Sequence, residues 1–121
     1  MNRILVFDYE NVYINLDDTI VINDSLNISV MRFLYRQKFI GKNIHLISRH
    51  VGDIDLYLDR FRVPKTIFSS ILHIKDGSPK SLYIQDNSIV IDVSLSERIE
   101  IESIFRNIHA YDVDACSSFS Y

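Results

Sequence analysis

The chain has 121 residues, 47% of them hydrophobic, with a formal net charge of −3 and a pI near 5.7. That is one domain with enough apolar material for a real core, so a disordered chain is excluded. Lys and Arg are scattered, so nothing in the charge calls for a nucleic acid or a membrane surface, and the single cysteine, Cys116, excludes an internal disulfide framework and a Cys-rich zinc site.

Asn2 and Arg3 are followed by only four apolar residues, which predicts no secretory leader and a cytoplasmic location. No apolar stretch approaches the ~20 residues that a membrane-spanning helix needs. Residues 3–7, Arg-Ile-Leu-Val-Phe, read as a first strand ending at Asp8, with Glu10 two residues on. Residues 12–22 carry two β-rich pieces around Leu16-Asp17-Asp18 and predict a hairpin projecting just after that strand. Asp24 or Ser25 is a candidate cap for a helix over 26–39, with Ile28, Met31, Leu34 or Tyr35, and Phe39 facing the core and Gly41 as its stop.

Residues 43–47 predict a second core strand that ends at Ser48. A short helix follows over 53–62, with Ile54, Tyr57, Leu58 and Phe61 on one face and Pro64 beyond it. Residues 67–74 are strand-like, Asp76-Gly77-Ser78-Pro79 is a turn, and Lys80 to Tyr83 reads as a helical turn. Ser88-Ile89-Val90-Ile91 is a further strand, and it ends in Asp92. Ser94-Leu95-Ser96-Glu97 has the form of a capping box, opening a helix with Ile101, Ile104, Phe105 and Ile108 on its apolar side. Residues 109–113 complete the pattern as a last strand. Alternating strands and helices predict a single α/β domain over 1–121: a three-layer, Rossmann-like parallel sheet with a β-hairpin flap at about 12–22 and no room for a cap domain.

Strand ends carry the chemistry. Acids at the carboxyl ends of two parallel strands, Asp8 and Asp92, suggest a site for a hard metal ion and a phosphate. Taken with Ser48 and Lys80, the order Phe7-Asp8-Tyr9-Glu10-Asn11, Ile47-Ser48-Arg49, Pro79-Lys80-Ser81 and Ile91-Asp92-Val93-Ser94 resembles the haloacid dehalogenase superfamily of Mg²⁺-dependent phosphohydrolases over nearly the whole chain. The Lys and Ser-x-Ser-Glu-Arg segments are similar to a small capless group, some of which accompany ATP-grasp ligases. The resemblance implies a small phosphorylated substrate, with Asp8 as nucleophile and Mg²⁺ on Asp8, the Glu10 carbonyl and Asp92. It implies Ser48 and Lys80 on the phosphoryl oxygens and Glu10 as the proton carrier. Glu10 is one methylene longer than the usual Asp, and a ~1 Å misplacement of a proton costs on the order of 10²-fold in rate. Val93 replaces a frequent second acid.

Two further expectations follow. Asn15-Leu16-Asp17-Asp18-Thr19 is an alternative first motif with Asn in the nucleophile position, and a chain built on it is catalytically dead; separately, the Glu10 and Val93 departures favour a catalytically degenerate binding or assembly module. Residues 7–13 also resemble the opening of PIN-like (NYN-type) metal-dependent ribonucleases, for which Gly52-Asp53-Ile54-Asp55 is a partial echo of the later acids. Of the histidines, His45 reads as a packed strand residue, His50 as a surface residue near the rim, and His73 and His109 as structural.

Overall fold

The computed structural model describes residues 8–118. The elements are strand β1 (Asn11–Ile14), the short strands β2 (Val21–Ile22) and β3 (Ser25–Leu26), helix α1 (Ile28–Phe39), β4 (Asn43–Ser48), α2 (Ile54–Arg60), β5 (Ser70–His73), β6 (Ser88–Ile91), α3 (Leu95–Ile104) and β7 (Ile108–Tyr111). Single 3₁₀ turns lie at Lys65–Ile67 and Lys80–Tyr83, and a longer one at Val113–Ser118. Five strands form one parallel sheet in the order β5-β4-β1-β6-β7. Val12 and Ile14 join a core with α1 and α2 on one face, while Tyr13, Ile47 and Val90 join Ile101 of α3 on the other. The chain is therefore a Rossmann-like α/β fold with helices on both faces of the sheet.

The centre of the sheet is a correction to the sequence reading. Residues 12–14 are not one arm of a projecting hairpin. They are the middle strand, paired with β4 through Val12↔Ile44 and with β6 through Val12↔Ile89. All four residues of β1 are buried, including the polar Asn11, whose Oδ1 bonds His45 Nε2 at 2.9 Å. A Val-Tyr-Ile run buried on both faces suits a central parallel strand, where no polar/apolar alternation is needed. An antiparallel pair does follow, but it is only β2 with β3. The expected strand at 3–7 lies outside the described residues, apart from its terminal Asp8.

Helix α1 is capped by Asn27, whose side chain accepts from the Val30 amide, because Ser25 and Leu26 are spent in β3. Its buried face is Val30, Met31, Phe33, Leu34 and Gln37, so the helix is rotated from the expected face: Ile28 and Phe39 are 61% and 90% exposed. Asp53 and Ser94 cap α2 and α3 as their side-chain chemistry predicts.

Candidate functional site at the carboxyl ends of the strands

In a parallel sheet all carboxyl ends share one edge, and ligands bind there, next to the strand where chain direction of travel reverses. Here that strand is β1, which has β4 on one side and β6 on the other. The residues brought to this edge are Asn15 after β1, Ser48 at the end of β4, His73 at the end of β5, and Asp92 after β6. The backbone binds Asn15 to the edge directly, its amide donating to the Ile91 carbonyl at 3.0 Å.

Asp8 and Glu10 sit at the other end. Glu10 donates its amide to Asn87 and accepts from the amide of Asn43, residues that precede β6 and begin β4. Both acids are exposed there. The register thus places Asp8 and Glu10 at the amino edge of the sheet and Asp92 at the carboxyl edge, so the expected sharing of one cation by Asp8, Glu10 and Asp92 does not arise. Lys80 and Asp92 are brought together, and Ser48 ends β4 at the same edge. The residue that joins the Lys80–Asp92 pair is Asn15.

Lys80 organises this edge. The Pro79-led 3₁₀ turn delivers it from above, and its side chain is 2% exposed. Its Nζ lies 2.6 Å from Asp92 Oδ2, 3.2 Å from Glu97 Oε2 and 3.2 Å from Asn15 Oδ1. An ammonium only donates, so it fixes the orientation of the Asn15 amide: the oxygen faces Lys80 and the NH₂ faces away. That NH₂ donates to the Asp17 carbonyl at 2.7 Å. The other Asp92 oxygen accepts the Ser94 amide at 3.0 Å, tying the site to the start of α3. Glu97 also takes a two-pronged bond from Arg49, at 2.9 and 3.3 Å. Burial works against the charged form of Glu97, but Arg49 and Lys80 outweigh it and hold the carboxyl below its usual range. Two cations therefore face two carboxylates in a closed network.

Ser48 is fully buried, and its Oγ accepts the His50 amide at 3.0 Å. The His50 Nδ1 lies 2.9 and 3.0 Å from the two oxygens of Asp17, and its ring packs on Tyr57 with centroids 4.1 Å apart. His50 is thus a largely enclosed residue rather than a surface one, with a side chain only 12% exposed. Asn15, Asp17, Arg49 and Glu97 carry the geometry beyond the three expected residues. The Asn-x-Asp-x-Thr spacing was the sequence signal for the first two.

The donor set fits a divalent cation poorly. A Mg²⁺ here would need oxygen ligands. The Asp92 carboxylate and the Asp17 carbonyl are each already met by an N–H donor, and Asn15 offers its one oxygen to Lys80. Among the described residues no group of three or more His, Cys, Asp and Glu is placed to hold a metal. No helix among them is long and apolar enough to cross a membrane. No protein-family model and no curated protein matches the chain.

Proposed function

We propose that this chain is a dehalogenase-like domain without the aspartyl nucleophile, acting as a binding or assembly module rather than as a phosphohydrolase. The single observation that carries the reading is Asn15. It stands after the central strand, 3.2 Å from the Lys80 ammonium, in the place where the resemblance implies an attacking carboxylate. A carboxamide is a poor nucleophile towards phosphorus, and its N–H is too weak an acid for a side-chain base to activate it by deprotonation. Lys80 and Asp92 then serve each other rather than a phosphoryl group. The edge is pre-formed and rigid, as suits a domain that presents a surface.

The test is hydrolysis of p-nitrophenyl phosphate in the presence of Mg²⁺. The purified protein releases no phosphate above background, and Asp8→Asn behaves identically. Mg²⁺-dependent turnover that Asp8→Asn abolishes overturns the reading and restores the amino-edge acids as the working site.

A further inference from the structure

Helix α1 carries an apolar stripe on its solvent side. At helical spacing Ile28, Arg32, Tyr35, Arg36 and Phe39 share that side, opposite the buried Val30, Leu34 and Gln37. Phe39 is 90% exposed and Tyr35 51%, and with Ile40 they line a shallow groove of about 370 Å³ between Arg32 and Arg36. Single exposed apolar side chains are ordinary, but a contiguous aromatic groove marks an interaction surface. The charges of α1 are all positive: Arg32, Arg36 and Lys38, with no acid among its residues. None of these cations forms an ion pair among the described residues.

The complementary surface lies on the neighbouring helix. Val30 and Leu34 of α1 share one core with Ile54 and Leu58 of α2, so both helices cover the same face of the sheet and their outer sides face the same way. The outer side of α2 is Asp55, Leu56 and Asp59, with Leu56 67% exposed. The Asp59 carboxylate has no partner among the described residues, and Asp55 has only the exposed Lys65 at 3.8 Å. Arg60 is taken by Asp24 at 2.8 Å, and Arg62 lies beyond the helix end. Arg32 and Arg36 are spaced i, i+4, as are Asp55 and Asp59, a rise of about 6 Å in each case. Like charges at that spacing repel along their own helix, so each row burdens the lone protomer and is relieved by an opposite row.

We propose that two copies of this chain form a twofold dimer in which α1 of each packs on α2 of the other. Arg32 and Arg36 then face the partner's Asp55 and Asp59, and the partner's Leu56 fills the groove of Tyr35, Phe39 and Ile40. Helices that join parallel strands both run against the strand direction. A half turn about an axis between and along them therefore sets α1 and the partner's α2 side by side in the same direction, and makes the reciprocal contact in the same operation. The charge rows fix the register and the apolar groove supplies the adhesion. Two short helices per protomer make a small interface, below about 1,200 Å² in total, so the dimer is a weak one.

The experiment is analytical ultracentrifugation of the full chain between about 10 µM and 1 mM, the range in which a weak dimer forms. The parent passes from monomer to dimer across this range. Phe39→Glu, a change at an exposed position that keeps the fold, abolishes the dimer. Arg36→Asp and Asp59→Arg each weaken it at least about tenfold, because every contact occurs twice in a twofold dimer. An equimolar mixture of these two variants associates as the parent does, since each α1 again meets an opposite charge. A parent that stays monomeric at 1 mM overturns the proposal and leaves the groove to a partner of different sequence. It is also overturned by a dimer that survives Phe39→Glu, by one dissolved instead by Ile99→Glu on the opposite face, and by a mixture that associates no better than its components. The dimer does not depend on Asn15: turnover of p-nitrophenyl phosphate leaves it standing, and a monomer leaves the reading of Asn15 standing.

Discussion

Replacing Lys80 by Met removes the charge that holds the carboxyl edge together. The side chain keeps its length and apolar stem, so the change isolates the ammonium. Asp92 is then left 2% exposed with only the Ser94 amide, and Asn15 Oδ1 loses its donor. Truncating one partner of a buried ion pair costs about 3–5 kcal/mol, because the surviving charge stays desolvated. For 121 residues, an unfolding entropy of ~2.1 cal/mol/K per residue sums to about 0.25 kcal/mol/K, so the melting temperature falls by roughly 12–20 °C. Total stabilities are about 5–15 kcal/mol, so the variant remains folded at low temperature but is marginal. Thermal unfolding followed by circular dichroism measures this. The double variant Lys80→Met/Asp92→Leu recovers most of the loss, since it leaves no unpaired charge at the strand end and Glu97 still has Arg49. A fall of less than ~4 °C for Lys80→Met refutes the argument, since it means the pair is solvated in solution.

Burial holds the His45 pKa below 6.5, so between that lowered value and 6.5 the unfolded chain takes up a proton that the folded chain does not. Stability is therefore full above about pH 6.5 and declines as pH falls below it; urea midpoints at pH 7 and pH 5 check this, and a His45 ring that titrates at or above 6.5 contradicts it. Glu97, held below its ordinary 4.5, adds a second decline as pH falls below that value, and Glu97→Gln removes this lower-pH component while leaving the His45 component in place. The Cys116 thiol is buried and pushed up to about 12, so Ellman's reagent at pH 8 labels it only when urea unfolds the chain; rapid labelling of the native protein rules this burial out.

Much of the fold was legible because its signals are local. Asp53 and Ser94 cap helices through their own side chains, Pro79 opens the turn that carries Lys80, and the strands at 43–48 and 88–91 are compact apolar runs. The central strand was not legible for a physical reason. Residues 3–7 and 11–14 are both short β-rich runs, and membership of a parallel sheet depends on partners thirty or eighty residues away, such as Ile44 and Ile89 for Val12. Polar Asn11 disguises the start of β1, although it is satisfied there by His45. Asn15, an amide, gives no acid to mark its end.

The candidate site inherits this division. Ser48, Lys80 and Asp92 are legible because their strand or turn is local, and all three lie at one edge, with Lys80 and Asp92 in contact. Asp8 and Glu10 precede the central strand β1 rather than follow it, and lie at the other. The rotation of α1 has a similar origin: its apolar residues extend well round the helix, with Ile28 and Phe39 exposed and Val30, Leu34 and even Gln37 buried, so spacing alone did not select the face. Gln37 is drawn inwards by a hydrogen bond from the Tyr9 hydroxyl, a contact between residues 28 positions apart.

The most direct test is a calorimetric Mg²⁺ titration of the parent protein and of Asn15→Asp side by side. Asn15→Asp places a carboxylate beside the Asp17 carbonyl and Asp92 and restores the oxygen donors that an amide lacks. The account predicts no saturable heat for the parent and binding in the millimolar range or tighter for Asn15→Asp, lost again when Asp92→Asn is added. Tight Mg²⁺ binding by the parent protein, undiminished by Asp92→Asn and abolished by Asp8→Asn, would contradict it.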